Sequence, residues 1–201
     1  MISFNRAHFL KSAAKLTDLP EDVGIEVAFV GRSNAGKSSA LNTLTQQKSL
    51  ARVSKTPGRT QLINLFQLDE SRRLVDLPGY GFAKVSAAMK REWQRTLSDY
   101  LAKRDCLHGL VLVMDSRRPF QKADMDIVHW TLEHKVKLHL LLTKVDKHNQ
   151  KERSKAQRLL EATLEEFPGI SAQFFSATKK TGLEKLKIKL TEWLESTGSR
   201  D

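Results

Sequence analysis

The stretch GRSNAGKSSALNTL (residues 31–44) follows the apolar run IEVAFV (residues 25–30) and opens a segment with helical spacing. Its pattern, Gly31-x-x-x-x-Gly36-Lys37-Ser38, is that of a phosphate-binding loop, in which successive backbone N–H groups and a helix N-terminus converge on a polyphosphate. Gly31 and Gly36 can take backbone angles closed to residues with a side chain. Lys37 is placed to reach the β and γ phosphates, and the Ser38 hydroxyl to ligate Mg²⁺. The alternative is a turn followed by a helix with no ligand; the strand before and the helix after favour the loop.

With 201 residues, 40% of them hydrophobic, the chain can bury one good core. A single domain over residues 23–196 is expected, with an N-terminal extension over 1–22 and a flexible tail over 197–201. The formal charge of +11 favours a polyanionic partner such as nucleic acid or an anionic membrane surface, although surplus Lys and Arg also suit a plain solvated surface. The single cysteine, Cys106, excludes an intramolecular disulfide and fits a reducing compartment such as the cytoplasm. The six histidines include no H-x-x-x-H pair, so none is assigned to a metal. Runs such as LVLVM and LHLLL are too short to cross a bilayer. The N-terminus MISFNRAHFLKSAAKL is basic but has no apolar core segment, which argues against a secretory signal and leaves a transit peptide as the alternative.

Outward from the loop, β-branched and apolar content predicts strands over 25–30, 61–68, 72–76, 109–114, 136–142 and 170–175. Helical spacing predicts helices over 37–45, 87–103, 122–133, 151–167 and 183–194. The strands over 61–68 and 72–76, joined at Asp69-Glu70-Ser71, form an antiparallel hairpin, and the polar stretch 46–59 reads as a mobile loop. Strand and helix otherwise alternate, which predicts a three-layer α/β fold with a mostly parallel six-stranded sheet and one antiparallel edge strand. Ligands in such folds bind at the carboxyl ends of the strands.

Later strand ends supply the groups a bound nucleotide needs. One strand ends in DLPG, Asp76, Leu77, Pro78 and Gly79, where a carboxylate can hold Mg²⁺ through water and the Gly79 amide can sense a γ-phosphate. The strand LHLLL runs into Thr143, Lys144, Val145 and Asp146. The Asp146 carboxylate can accept from the N1–H and exocyclic amine of guanine while the Lys144 stem covers the ring. Adenine presents an acceptor where guanine donates, so such a site rejects it. Taken singly, this stretch also reads as a helix cap. The last strand ends in Phe175, Ser176 and Ala177, where a backbone amide can meet the guanine O6. A hydroxyl to complete the Mg²⁺ shell comes from Thr56 or Thr60; Thr60, next to a strand, is the better anchored.

GRSNAGKSS, TPGRTQLINLF, RLVDLPGYG, LLTKVD and FSATKKTG, in this order, resemble the EngB (YihA/YsxC) family of bacterial GTPases, within the Era-like class, over residues 9–194. The resemblance implies a Ras-like GTPase fold, GTP and Mg²⁺ binding, a role in assembling the large ribosomal subunit, and association with cell division and septation. It implies that Gly31, Arg32, Ser33, Asn34, Ala35, Gly36, Lys37 and Ser38 bind the phosphates. Gly58, Arg59, Thr60, Gln61 and Leu62 form the first switch, and Asp76 to Gly79 open the second. Thr143 to Asp146 and Phe175 to Ala177 take the base, with Ser38 and Thr60 as the protein ligands of Mg²⁺. Thr143 stands where Asn is commoner, and Tyr80 where many GTPases place a water-orienting Gln. Slow turnover is therefore expected, with Lys37, Thr60 and Asn34 as the catalytic candidates. Asn34 either supplies an oxygen to a K⁺ ion, as in potassium-activated relatives, or only bonds the loop backbone.

The leading expectation is a monomeric guanine-nucleotide switch on the large ribosomal subunit and its RNA, with no DNA partner and no membrane span. Its RNA would meet a basic face of Lys84, Lys90, Arg91, Arg95, Arg117 and Arg118. The alternatives are a GTP-binding structural module of the division apparatus and a P-loop small-molecule kinase. The kinase would need an Arg-rich lid insertion, which the sequence does not offer.

Overall fold

Alternating strands and helices run through the computed structural model, which describes residues 2–51, 62–81 and 86–196. In chain order these are β1 (His8–Ala13), β2 (Ile25–Gly31), α1 (Lys37–Thr45), β3 (Ile63–Gln67), β4 (Arg72–Asp76), α2 (Ala87–Lys103) and β5 (Leu107–Asp115), followed by α3 (Lys122–Glu133), β6 (Lys137–Thr143), α4 (Gln150–Glu166), β7 (Ser171–Phe174) and α5 (Leu183–Glu195). One sheet takes the order β1-β3-β4-β2-β5-β6-β7. Neighbours from β4 to β7 pair parallel, and β3 runs antiparallel to both β1 and β4.

The sequence predicts six strands with the antiparallel one at the edge, and here the structure corrects it. Residues 8–13, within the stretch expected to be an extension, add a seventh strand, so β3 lies one place inside the edge. The strand escapes a reading by alternation because it is an edge with a register break between Phe9 and Lys11, and its first three residues are exposed. A lysine and an irregularity on an edge strand are common devices against edge pairing, and they blur the period-2 signal.

Period 2 is clear inside the sheet. Val27 and Phe29 of β2 face α1 and α5, packing with Leu41, Leu44, Leu190 and Trp193, whereas Ala28 and Val30 face the layer of α2, α3 and α4 with Leu97, Tyr100 and Ile127. Trp193 lies flat on the sheet over Gly109, where a β-carbon would come within 2.2 Å of its ring. From β2 the chain goes to β3 and β4 on one side and to β5 on the other. Its carboxyl end is therefore the point where strand order reverses and a crevice opens.

The opposite end of the sheet is closed by charge. Glu26, fully buried, accepts hydrogen bonds from Arg73 Nε (2.9 Å), Arg104 Nε and Nη2 (3.0 and 2.7 Å) and Tyr100 Oη (2.8 Å). Burial pushes its carboxyl up, but the Arg104 and Arg73 guanidiniums and the Tyr100 hydroxyl together hold it below the ordinary range. No helix among the described residues is long and apolar enough to cross a membrane.

Candidate nucleotide-binding site

Gly31 ends β2, Lys37 begins α1, and Arg32, Ser33, Asn34, Ala35 and Gly36 form the turn between them. Gly36 takes φ 98° and has the Thr143 hydroxyl 3.2 Å from where a β-carbon would sit, so any side chain there would be strained and crowded. Among the described residues no side chain caps α1. Its first N–H groups and helix dipole therefore face the crevice, an arrangement suited to an anion. Asn34 is left-handed, with φ 63°. Asparagine tolerates that conformation better than most residues, which is one reason for it in the loop.

Lys37 Nζ donates to the Asp76 carboxylate, so the side chain expected on phosphate and the one expected near Mg²⁺ meet at a single point. Leu77 N donates to Phe29 O (2.9 Å), and Gly79 lies against the loop, its β-carbon position 3.4 Å from Gly31 O. Ser33 N donates to Tyr80 O (2.8 Å) and Tyr80 N to Gly31 O (3.3 Å), so the stretch expected to open the second switch begins as a short parallel extension along the loop over residues 31–38.

The base end is built as closely. Thr143 Oγ1 donates to Ala35 O, tying the end of β6 to the loop. Lys144 Nζ reaches across to Asn34 O and to Asp115 Oδ2 (2.9 Å), which lays its stem along the crevice. Asp146 Oδ1 accepts from Ser176 Oγ (2.6 Å). That bond, with the lysine charges nearby, holds the Asp146 carboxyl below its usual range and so ionised as an acceptor. Phe175 N is committed to Leu142 O (2.8 Å) and Ser176 N to Thr181 O (3.0 Å). Of the three residues expected at the base, Ala177 is the one whose amide is left to meet O6.

Thus the structure brings together the residues from Gly31 to Ser38, those from Asp76 to Gly79, Thr143 to Asp146, and Phe175 to Ala177. Leu62 stands just before β3, whereas Gly58, Arg59, Thr60 and Gln61, with Thr56 and Lys84, lie outside the described residues. The hydroxyl and carboxylate oxygens of Ser38 and Asp76 are the hard donors Mg²⁺ takes. Among the described residues no group of three or more His, Cys, Asp or Glu is placed to hold a metal ion.

Three features escape the sequence. Asp115, at the end of β5, receives Lys144 and two bonds from Arg117 (2.9 and 2.7 Å). Burial raises its carboxyl, but those donors outweigh it and hold it well below the carboxylate range. Thr143 bonds the loop over residues 31–38 through Ala35 O. Tyr80, only 5% exposed, turns away from the phosphate loop and donates to Asp124 Oδ1 at 2.5 Å. A continuous apolar strand ending in Asp before a basic loop was the only available hint of Asp115. For the Tyr80–Asp124 pair there was none.

A family model described as 50S ribosome-binding GTPase matches residues 26–144. The probable GTP-binding protein EngB of Francisella tularensis subsp. novicida (strain U112) is 54% identical over 197 residues, covering 96% of this chain and 100% of that protein. The protein of the same name from Francisella philomiragia subsp. philomiragia matches to the same extent, 54% over 197 residues, with 96% and 100% covered. Among solved structures, a probable GTP-binding protein engB has TM-score 0.68 at 22% identity, with 84% of this chain and 98% of that one covered. Era in complex with MgGDPNP and nucleotides 1506–1542 of 16S ribosomal RNA has TM-score 0.65 at 19% identity, with 88% and 58% covered. These two structural likenesses support the fold.

Proposed function

The chain belongs to the EngB family of GTP-binding proteins, and from that premise we propose that it is a GTPase switch acting in assembly of the large ribosomal subunit. It binds GTP with Mg²⁺, hydrolyses it slowly to GDP and phosphate, and works in the cytoplasm as a monomer, with normal division and septation depending on it. The observation that carries the guanine reading is the Asp146 carboxylate, oriented by Ser176 at one end of a crevice that Lys144 spans to the phosphate loop.

In this reading Asp146 accepts from guanine N1–H and its amine, and the Ala177 amide donates to O6. The amides from Asn34 to Ser38 and the Lys37 ammonium take the β and γ phosphates, Lys37 exchanging its Asp76 partner for phosphate oxygen. Ser38 and Thr60 would hold Mg²⁺, which would offset charge on the phosphate oxygens. Asn34 would supply one oxygen to a K⁺ ion, the alternative being that it only bonds the loop backbone. Gly58 to Leu62 form the first switch, and Gly79 reads the γ-phosphate.

The ribosomal RNA meets Lys90, Arg91 and Arg95 of α2 together with Arg117 and Arg118. All five are exposed and flank the second switch. Arg117 shares its charge with Asp115, and Arg95 lies 3.9 Å from Asp99, which makes Arg118, Lys90 and Arg91 the stronger contacts. The test is sedimentation of lysate with GTP, GDP or a non-hydrolysable analogue. The protein should travel with the large subunit in a nucleotide-dependent way, and binding should weaken steeply with salt as counterions are released. Nucleotide-independent sedimentation away from the subunit, or charge-reversed Arg118 and Arg91 with unchanged salt dependence, would overturn the reading.

A further inference from the structure

Tyr80 stands where many GTPases orient water, yet its side chain is part of the core. Its hydroxyl donates to Asp124 Oδ1, and the Asp124 Oδ2 accepts from Gln121 N (2.8 Å) at the start of α3. Its ring packs on Trp93 of α2 at 5.2 Å, and Trp93 Nε1 donates to Pro78 O (3.0 Å). The Tyr80 backbone pairs with Gly31 and Ser33, and the Arg32 side chain crosses the face of Gly81, its Nε 3.3 Å from that residue's β-carbon position. Four pieces of chain therefore meet at one side chain: the phosphate loop, the opening of the second switch, α2 and α3.

We propose that Asp124 is a positioning residue which, through Tyr80, fixes the second switch against the phosphate loop and so presets the Gly79 amide for the γ-phosphate. Gly79 is adjacent to Tyr80 in the chain and already rests on Gly31 and Ser33. Holding the next residue by hydroxyl, ring and backbone removes conformations that would otherwise compete with the γ-phosphate contact. Burial and the Asp124 charge keep the Tyr80 phenol protonated and therefore a donor. Burial also pushes the Asp124 carboxyl up, against the Tyr80 and Gln121 bonds and the Arg32 charge, so this contact is made at the expense of desolvating an acid. The same geometry places the tyrosine hydroxyl where it cannot touch the attacking water. The anchor is specific to discrimination: GDP has no γ-phosphate for Gly79 to meet, so its binding does not use the preset amide.

The inference rests on the reading that Gly79 senses the γ-phosphate, and one set of measurements separates the two. Hydrogen exchange of residues 76–81 is followed in wild type, Tyr80→Phe and Asp124→Ala, each with GDP and with a non-hydrolysable GTP analogue, beside titrations of a fluorescent form of each nucleotide. Wild type should show extra protection of this segment with the analogue. Tyr80→Phe, which keeps the ring against Trp93, should lose most of that extra protection. Its analogue affinity should fall about fivefold, as expected for one lost hydrogen bond, with GDP affinity within about twofold of wild type. Asp124→Ala should do the same, and the double variant should discriminate no worse than Asp124→Ala. Equal wild-type protection with both nucleotides would remove the sensor reading. Analogue-specific protection that survives in Tyr80→Phe would remove the anchor alone. Equal losses of GDP and analogue affinity would show that the pair supports the fold and not discrimination. If Asp124→Ala fails to fold, Tyr80→Phe decides.

Discussion

The Thr143 hydroxyl donates to the Ala35 carbonyl, so the loop proposed to read the base is bolted to the loop proposed to hold the phosphates. Asn is commoner at this position, and here a β-branched hydroxyl reaches the Ala35 carbonyl from a site 3% exposed. Thr143→Val keeps the shape and removes the donor. Leaving a buried carbonyl unpaired costs about 1–3 kcal/mol. GTP and GDP affinity should therefore fall together, by about tenfold, as calorimetry would show. A larger loss for GTP than for GDP would place Thr143 with the γ-phosphate instead.

Asp146→Asn should exchange guanine for xanthine, because an amide can donate to the carbonyl that xanthine carries in place of the amine. GTP affinity should drop by two orders of magnitude or more, on the order expected when a site's polar pairing is mismatched. Xanthosine triphosphate should bind better to the variant than to wild type. Ser176→Ala, which removes the 2.6 Å bond that aims the carboxylate, should weaken guanine nucleotides about fivefold. Competition titrations with ATP, GTP and xanthosine triphosphate decide this, and wild type binding ATP as tightly as GTP would contradict it.

The potassium reading of Asn34 predicts faster GTP turnover in KCl than in NaCl at equal ionic strength, and loss of that difference in Asn34→Ala. The left-handed backbone at φ 63° gives the residue a second reason to be asparagine, so Asn34→Gly is the informative companion. It relieves the backbone and removes the oxygen. Potassium stimulation retained in Asn34→Gly would mean that conformation, and not ligation, selected the residue.

His139 makes stability depend on pH. Its Nδ1 meets Ser171 Oγ at 2.8 Å and its Nε2 meets Gln173 Oε1 at 3.2 Å, a pair of contacts that suits the neutral ring. Burial, with the charges of Lys189 and Lys185, outweighs the Gln173 bond and lowers its pKa from 6.5 to about 4. A histidine lowered in the folded state stabilises the fold while neutral. Its contribution is complete above about pH 6.5 and is lost as pH falls toward 4. The loss is on the order of 2–3 kcal/mol. Urea melts from pH 7 to pH 4.5 should show it in wild type and a flatter profile in His139→Gln.

Glu26→Ala should be the most damaging single change far from the nucleotide. It leaves the Arg73 and Arg104 guanidiniums, both largely buried, without their shared anion, and breaking a buried ion pair from one side costs about 3–5 kcal/mol. Thermal melts should report the loss, while guanine-nucleotide affinity of the folded fraction stays near wild type.

Much of this frame can be read from residue patterns. The helix over 87–103 shows itself by an apolar stripe, and the structure adds a cap outside that reading, the Ser86 hydroxyl accepting from Met89 N at 3.2 Å. The phosphate and base loops are legible because each rests on residue types with few other uses at strand ends. What stays hidden is partnership across distance. Glu26 inside an apolar strand announces that some cation must be near, but Arg73 and Arg104 are 47 and 78 residues away and have many rivals. Tyr80 can be judged unable to orient water, yet its direction depends on Asp124, 44 residues on. Nothing local encodes that. The strand over 8–13 is hidden for the opposite reason: one row of contacts leaves little constraint on its side chains.

That strand also decides where the molecule can be cut. β1 covers the outer hydrogen-bonding row of β3 from Gln67 to Ile63, and β3 carries Ile63, Leu65 and Phe66, all buried. A protein trimmed to begin at residue 23, the start suggested by the nucleotide-binding motifs, would bare that row along a flat apolar strand. Bare edges of this kind recruit strands from neighbouring molecules. The trimmed protein would keep the nucleotide crevice and still be prone to aggregate, and its shelf life in solution would be governed by the six residues of an edge strand outside that crevice.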